Sequence, residues 1–130
     1  MRIKLTSIMV DDQDKALKFY TEVLGFQKKN EIAIGPYKWL TVVSPEGPND
    51  LELSLEPNAN PAAKAFQEAM FTQNIPLAAF EVTGLKKEYE RLTARGVEFT
   101  GEPKEISNVT LAAFVDTCGN LIQLYEQKKG

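Results

Sequence analysis

The short apolar alternation Leu5-Thr-Ser-Ile-Met-Val10, then a helical stretch and Gly25-Phe26, returns as Leu77-Ala-Ala-Phe-Glu-Val82, a second helical stretch and Gly96-Val97. Gly25 comes fifteen residues after Val10 and Gly96 fourteen after Val82, so the copies differ by one position over a whole strand–helix unit. Only two copies fit in 130 residues, which points to a duplicated module rather than a solenoid. Paired small modules commonly build a site at the seam between them.

Each copy has its own punctuation. Asp11 or Asp12 suits the N-cap of a first helix whose apolar stripe is Ala16, Phe19, Tyr20, Val23 and Leu24, and Gly25 stops it. Strands are expected near Asn30–Ile34 and Tyr37–Ser44, joined at Gly35-Pro36, before a turn-rich loop over Pro45–Asp50. Leu51–Glu56 alternates strictly, leucines on one face and Glu52, Ser54 and Glu56 on the other. Asn60-Pro61 opens a middle helix with Ala63, Phe66 and Met70 on one side. The second copy reads strand (Leu77–Val82), helix (Leu85, Tyr89 and Leu92 inward), strand (Val97–Thr100), then strands Val109–Val115 and Leu121–Glu126 around the turn Asp116–Asn120. Only Gln127–Gly130 reads as disordered. Each half is βαβββ, within one domain spanning 1–130: modules 1–57 and 75–127 with a linker helix over 60–74.

A helix covering one face of each half-sheet claims the apolar side of every strand. Thr6, Ile8 and Val10 go inward, as do Ala78, Phe80 and Val82, and Ile122 and Leu124. The opposite faces collect Ser7, Met9, Glu52, Ser54, Glu56, Glu81, Gln123 and Tyr125. Carboxylates mixed with an aromatic ring and a methionine suit a small-molecule cleft, with Trp39 and Tyr37 lining it or a dimer contact, or Trp39 a plain core residue. A half-solvated sheet face has the same alternation.

Composition narrows the partners. With 43% apolar residues the chain can bury one core but not two. A net charge of −3 and a pI near 5.1 argue against nucleic acid and anionic membrane as main partners. No apolar run approaches the roughly 20 residues of a membrane span, and Met1–Leu5 has no signal-peptide core. The single Cys118 suits a reducing compartment, so the expected location is the cytoplasm. There is no histidine.

Val10, Asp12, Ala16, Phe19-Tyr20 and Leu24-Gly25-Phe26 match the pattern VxDxxxAxxFYxxxLGF, and Phe114-Val-Asp116 with Gly119-Asn-Leu-Ile-Gln123 looks like a closing FxDPxGNxIEL hairpin, with Thr117 at its Pro and Gln123 at its Glu. In both, the chain resembles the vicinal oxygen chelate superfamily, which includes glyoxalase I, bleomycin-resistance and extradiol dioxygenase proteins. The resemblance covers essentially the whole chain. It implies an α+β fold of two βαβββ modules in an open, cupped mixed sheet of about eight strands, helices on the convex face, commonly as a homodimer whose partner completes the cup.

The resemblance also implies four metal-ligand positions, which here fall on Leu5, Glu52, Leu77 and Gln123. Leucine cannot coordinate, no histidine substitutes, and two oxygen donors fall short of the three that open catalytic sites use. The expectation is therefore no metal and no cofactor. Cys118, in a turn with no cation beside it, reads as passive. Two functions follow. One is a metal-free protein binding or sequestering a small cationic or aromatic molecule, with Ser7, Met9, Trp39, Glu52, Ser54, Glu81, Gln123 and Tyr125 as ligand-binding residues. The other is an enzyme of the same superfamily (lyase, isomerase or dioxygenase type) working without metal or with an oxygen-ligand site. Its catalytic residues are unknown, Glu52 being the best candidate. A structural or regulatory dimer is a third.

Overall fold

The computed structural model describes residues 1–48 and 50–128. Among them, eight strands form two four-stranded sheets, accompanied by three α-helices. The first sheet holds β1 (Leu5–Val10), β2 (Gln27–Ile34), β3 (Tyr37–Val43) and β4 (Glu52–Pro57) in the order β1-β4-β3-β2. The second holds β5 (Ala78–Glu81), β6 (Lys104–Ile106), β7 (Val109–Val115) and β8 (Leu121–Gln127) in the order β5-β8-β7-β6. In each, the first strand pairs in parallel with the last and the remaining pairs are antiparallel. The two halves therefore share one topology, as the repeat predicts, each module contributing four of the eight strands.

Helix α1 (Gln13–Lys18) starts at Asp12, whose side chain accepts from the Lys15 N–H at 3.0 Å. Its continuation, Phe19–Val23, widens into a π-helical turn that the 3.6-residue spacing does not foresee. The wider turn lets the consecutive rings of Phe19 and Tyr20 both enter the core. On α1, Gln13 clamps two strand ends, donating to Lys38 O at 2.9 Å and Leu55 O at 2.8 Å while accepting from the Lys38 N–H.

The core spans both modules. Ile8, Val10, Leu40, Val42 and Leu55 of the first sheet join Leu85, Leu92, Phe114, Ile122 and Leu124 of the second half. Phe19 meets Phe114 at 6.2 Å between ring centres and Phe26 meets Phe80 at 5.2 Å. Helix α3 (Leu85–Ala94) begins at Gly84, which has no side chain to cap it. Glu126 of β8 serves instead, accepting from Gly84 N–H at 2.7 Å and Leu85 N–H at 2.9 Å, and those bonds hold its carboxyl below the ordinary 4.5. Arg91 of α3 and Arg95 just after it then donate to Val23 O and Glu22 O, tying the second module to the end of the first helical segment.

Three expectations are corrected. Val97–Thr100 is not a strand: Phe99 makes one bridge to Phe114, Gly101 and Pro103 interrupt, and pairing with β7 resumes as β6. On α2 (Pro61–Thr72) Phe66 stays 52% exposed, and Gln67 is the residue buried, at 3%. Gln127 and Lys128, expected in a disordered tail, are ordered: Gln127 pairs with Val109 and the Lys128 N–H donates to Asn108 O at 2.7 Å. Lys129 and Gly130, like Asn49 in the expected Pro45–Asp50 loop, lie outside the described residues. No helix among the described residues is long and apolar enough to cross a membrane.

Candidate functional site

Register fixes what each open sheet face carries. On the first sheet Ser7 lies beside Ser54, Ser54 beside Thr41 and Thr41 beside Asn30, one polar row across four strands. The row below puts Leu5 and Val43 beside Glu52, and the row above puts Met9 beside Glu56. Trp39 pairs with Ile32. On the second sheet Glu81 lies beside Tyr125 and Ala79 beside Gln123.

A cleft of about 790 Å³ opens at the seam, lined by β1 and β4 on one side and β5 and β8 on the other. It brings together Ser7, Glu52, Glu81 and Tyr125, and Leu77 lines it too. Met9, Trp39, Ser54 and Gln123 are not among its lining residues. The sequence reading missed Glu46 and Glu88, which join the lining from a loop and from α3. Among the described lining residues four are glutamates and none is a lysine or arginine. Arg91 pairs with Glu88 from outside the cleft. The rest of the lining is mostly apolar, including Phe26, Phe80 and Phe114, with hydroxyls from Thr6, Ser7, Ser44, Thr83 and Tyr125 among it.

Glu52 has the most specified surroundings. Its Oε1 accepts from Thr41 Oγ1 at 2.8 Å and from Asn30 Nδ2 at 3.0 Å, while Lys29 Nζ stands 3.9 Å from Oε2. Neither donor is visible in the sequence as such. Asn30 reaches Glu52 only because a register shift between Lys28 and Asn30 sets it beside Thr41.

Of the four expected ligand positions, Leu5 lies beside Glu52 on the first sheet, whereas on the second Gln123 lies beside Ala79 and the Leu77 N–H donates to Leu121 O at 2.8 Å. Among the described residues no group of three or more His, Cys, Asp or Glu side chains could hold a metal ion. Cys118 is buried in the β7–β8 turn, and burial with the charge of Asp116 pushes its thiol up to about 12. A thiol held protonated there is no nucleophile. Tyr20 donates to Asp116 Oδ2 at 2.6 Å. Burial first, then that carboxylate, raises its phenol well above the ordinary 10.0.

A family model described as "Glyoxalase/Bleomycin resistance protein/Dioxygenase superfamily" matches residues 2–124. The protein YurT of Bacillus subtilis (strain 168) is 50% identical over 127 residues, covering 98% of this chain and 100% of YurT. The crystal structure of UcmS2 superposes with a TM-score of 0.82 at 34% identity, covering 96% of this chain and 97% of that one. TnmS3, an antibiotic binding protein from Streptomyces sp. CB03234, gives 0.78 at 27% identity over 98% of this chain and 97% of its own.

Proposed function

The chain belongs to the glyoxalase/bleomycin resistance protein/dioxygenase superfamily, and from that premise we propose that it binds or sequesters a small organic molecule in the seam cleft. The observation that carries this reading is the cleft itself, about 790 Å³ between two modules, with apolar walls and a few carboxylates. Similarity to TnmS3, which binds an antibiotic, supports it. The residues at the ligand positions do not fit the metal centre that the superfamily implies. Leu5 and Leu77 have no donor atoms, and Glu52 and Gln123 are two where three are needed. The chemistry left to the cleft is binding.

We place the protein in the cytoplasm on its single, buried thiol. We assign it a homodimer because the open face of the first sheet exposes Ile32 at 55% and Ile34 at 61%, apolar surface that a second copy can cover. A metal-free enzyme is the second reading. It has one observation in its favour, a glutamate held in place by two donors as a base on a C–H acid would need to be.

A thermal-shift screen of small organic molecules, run beside a screen of divalent ions, tests the reading. A bound organic ligand raises the melting temperature in proportion to the logarithm of its concentration. Stabilisation by an aromatic or cationic compound, lost when cleft residues are replaced, is the expected result. Stabilisation by nickel, zinc or iron alone overturns it.

A further inference from the structure

The two oxygens of Glu52 are not equivalent. Oε1 is committed to the wall by Thr41 and Asn30, and Asn30 Nδ2 also lies 3.1 Å from the Thr41 hydroxyl that it supports. Among the described residues Oε2 accepts no hydrogen bond. Its nearest cation, Lys29 Nζ, is at 3.9 Å, beyond hydrogen-bond reach. The Glu52 side chain is 15% exposed and that of Lys29 43%, so the carboxylate is mostly enclosed while the lysine is largely in water.

Three consequences follow. The carboxylate loses rotational freedom when the protein folds, so a ligand need not order it. A ligand that covers Oε2 without giving it a donor leaves a buried carboxylate oxygen unpaired, which is costly. A positive charge is favoured over a neutral donor, because Glu46 and Glu81 share the cleft and no lysine or arginine is among its described lining residues. Lys29 stands near the place where such a charge would sit, as a tethered competitor.

We infer that the ligand is an organic cation bearing N–H groups, that it donates to Glu52 Oε2 with its apolar body on the cleft walls, and that it displaces Lys29. Asn30 and Thr41 are then positioning residues. This deepens the small-molecule reading above and rests on it.

Fluorescence anisotropy with two dyes of one ring frame tests it on the full chain: rhodamine 123, an amino-substituted cation, and fluorescein methyl ester, an anion at pH 8. The protein should prefer the cation by about tenfold or more, the scale of a hydrogen bond to a charged group. Glu52→Gln should erase that preference. Lys29→Met should tighten the cation about threefold, as removal of a weak exposed competitor would. Thr41→Val, close in shape, should weaken the cation several-fold, and Thr41→Ser should restore it. A purely structural Thr41 would change the melting temperature and leave the cation-to-anion ratio alone, which overturns its positioning role. Equal binding of both dyes, an unaffected Glu52→Gln variant or a weakened Lys29→Met variant overturns the inference while the cleft reading stands. Failure of rhodamine 123 to bind overturns the inference too, and the thermal-shift screen then decides the cleft reading separately.

Discussion

The side-chain amide of Gln67 donates to Asn120 Oδ1 at 2.9 Å, and the two amides converge on one acceptor, the carbonyl of Met9, at 3.0 and 2.8 Å. Gln67 also lies 3.1 Å from Cys118 O and accepts from Asn58 Nδ2 at 2.8 Å. The middle helix, the β7–β8 turn and the end of β1 are thus joined by neutral hydrogen bonds out of water. Removing the amide leaves several buried partners unpaired.

Gln67→Leu should therefore lower unfolding stability by about 1–3 kcal/mol in a urea titration. Gly119→Ala should also destabilise, by more than about 1 kcal/mol, because φ is +102° and the added Cβ would stand 2.7 Å from Gln67 Nε2. A double-mutant cycle separates the causes. In a Gln67→Ala background the collision is gone, so the Gly119→Ala penalty should shrink to the backbone part. An unchanged penalty would remove the contact from the explanation.

Alkaline pH should melt the same region. Cys118 and Tyr20 both have raised native values, so the folded state keeps protons that the unfolded chain gives up. Their contribution is complete below about pH 9 and falls as pH rises, first through Cys118 between its ordinary 9.0 and about 12. Each such proton is worth about 1.4 kcal/mol per pH unit within its window. Stability should decline from pH 9 upward, with Cys118→Ala flattening the first part of the decline. A level profile from pH 8 to 11 would contradict the assignment.

Local periodicity made part of this legible. The Asp12 cap, the aromatic stripe to Leu24 and the Asn60-Pro61 start are signals within one element, and the structure follows them. The alternation around Glu52 likewise placed it on the open face. What stayed hidden depends on pairing between elements. Asn30 joins Glu52 through a bulge in β2 that alternation cannot register. β6 is three residues with one apolar side chain, too short for a period. Gln67, among alanines, reads as a solvent-facing glutamine, and only its buried acceptors explain it. The sorting of residues onto open faces followed from side-chain alternation, but which edges meet at the cleft did not.

The assembly makes a direct prediction. Ile34, on the open face of the first sheet, should lie in the contact between two copies. Light scattering at micromolar concentration should give a dimer for the wild type and a monomer for Ile34→Glu, whose charge would be buried unpaired. A monomeric wild type would refute the dimer.

The proposed absence of metal chemistry can be tested by composition as well as activity. Leu5 and Leu77 offer a divalent ion nothing, leaving the Glu52 carboxylate and the Gln123 amide, with Oε1 of Glu52 already carrying two hydrogen bonds. An ion held there would keep most of its water, as magnesium or calcium can, and would polarise a substrate poorly. Elemental analysis of protein purified without chelator should find transition metal far below one ion per chain. Lactoylglutathione lyase and catechol dioxygenase activities should be absent even with added nickel, zinc or iron. Leu5→His with Leu77→His restores imidazole at both positions and should create measurable zinc or nickel affinity if the four positions converge in the assembled protein. Near-stoichiometric metal in the wild type, lost with Glu52→Ala, would show that the two leucines do not prevent metal binding and would return the cleft to metal-assisted catalysis.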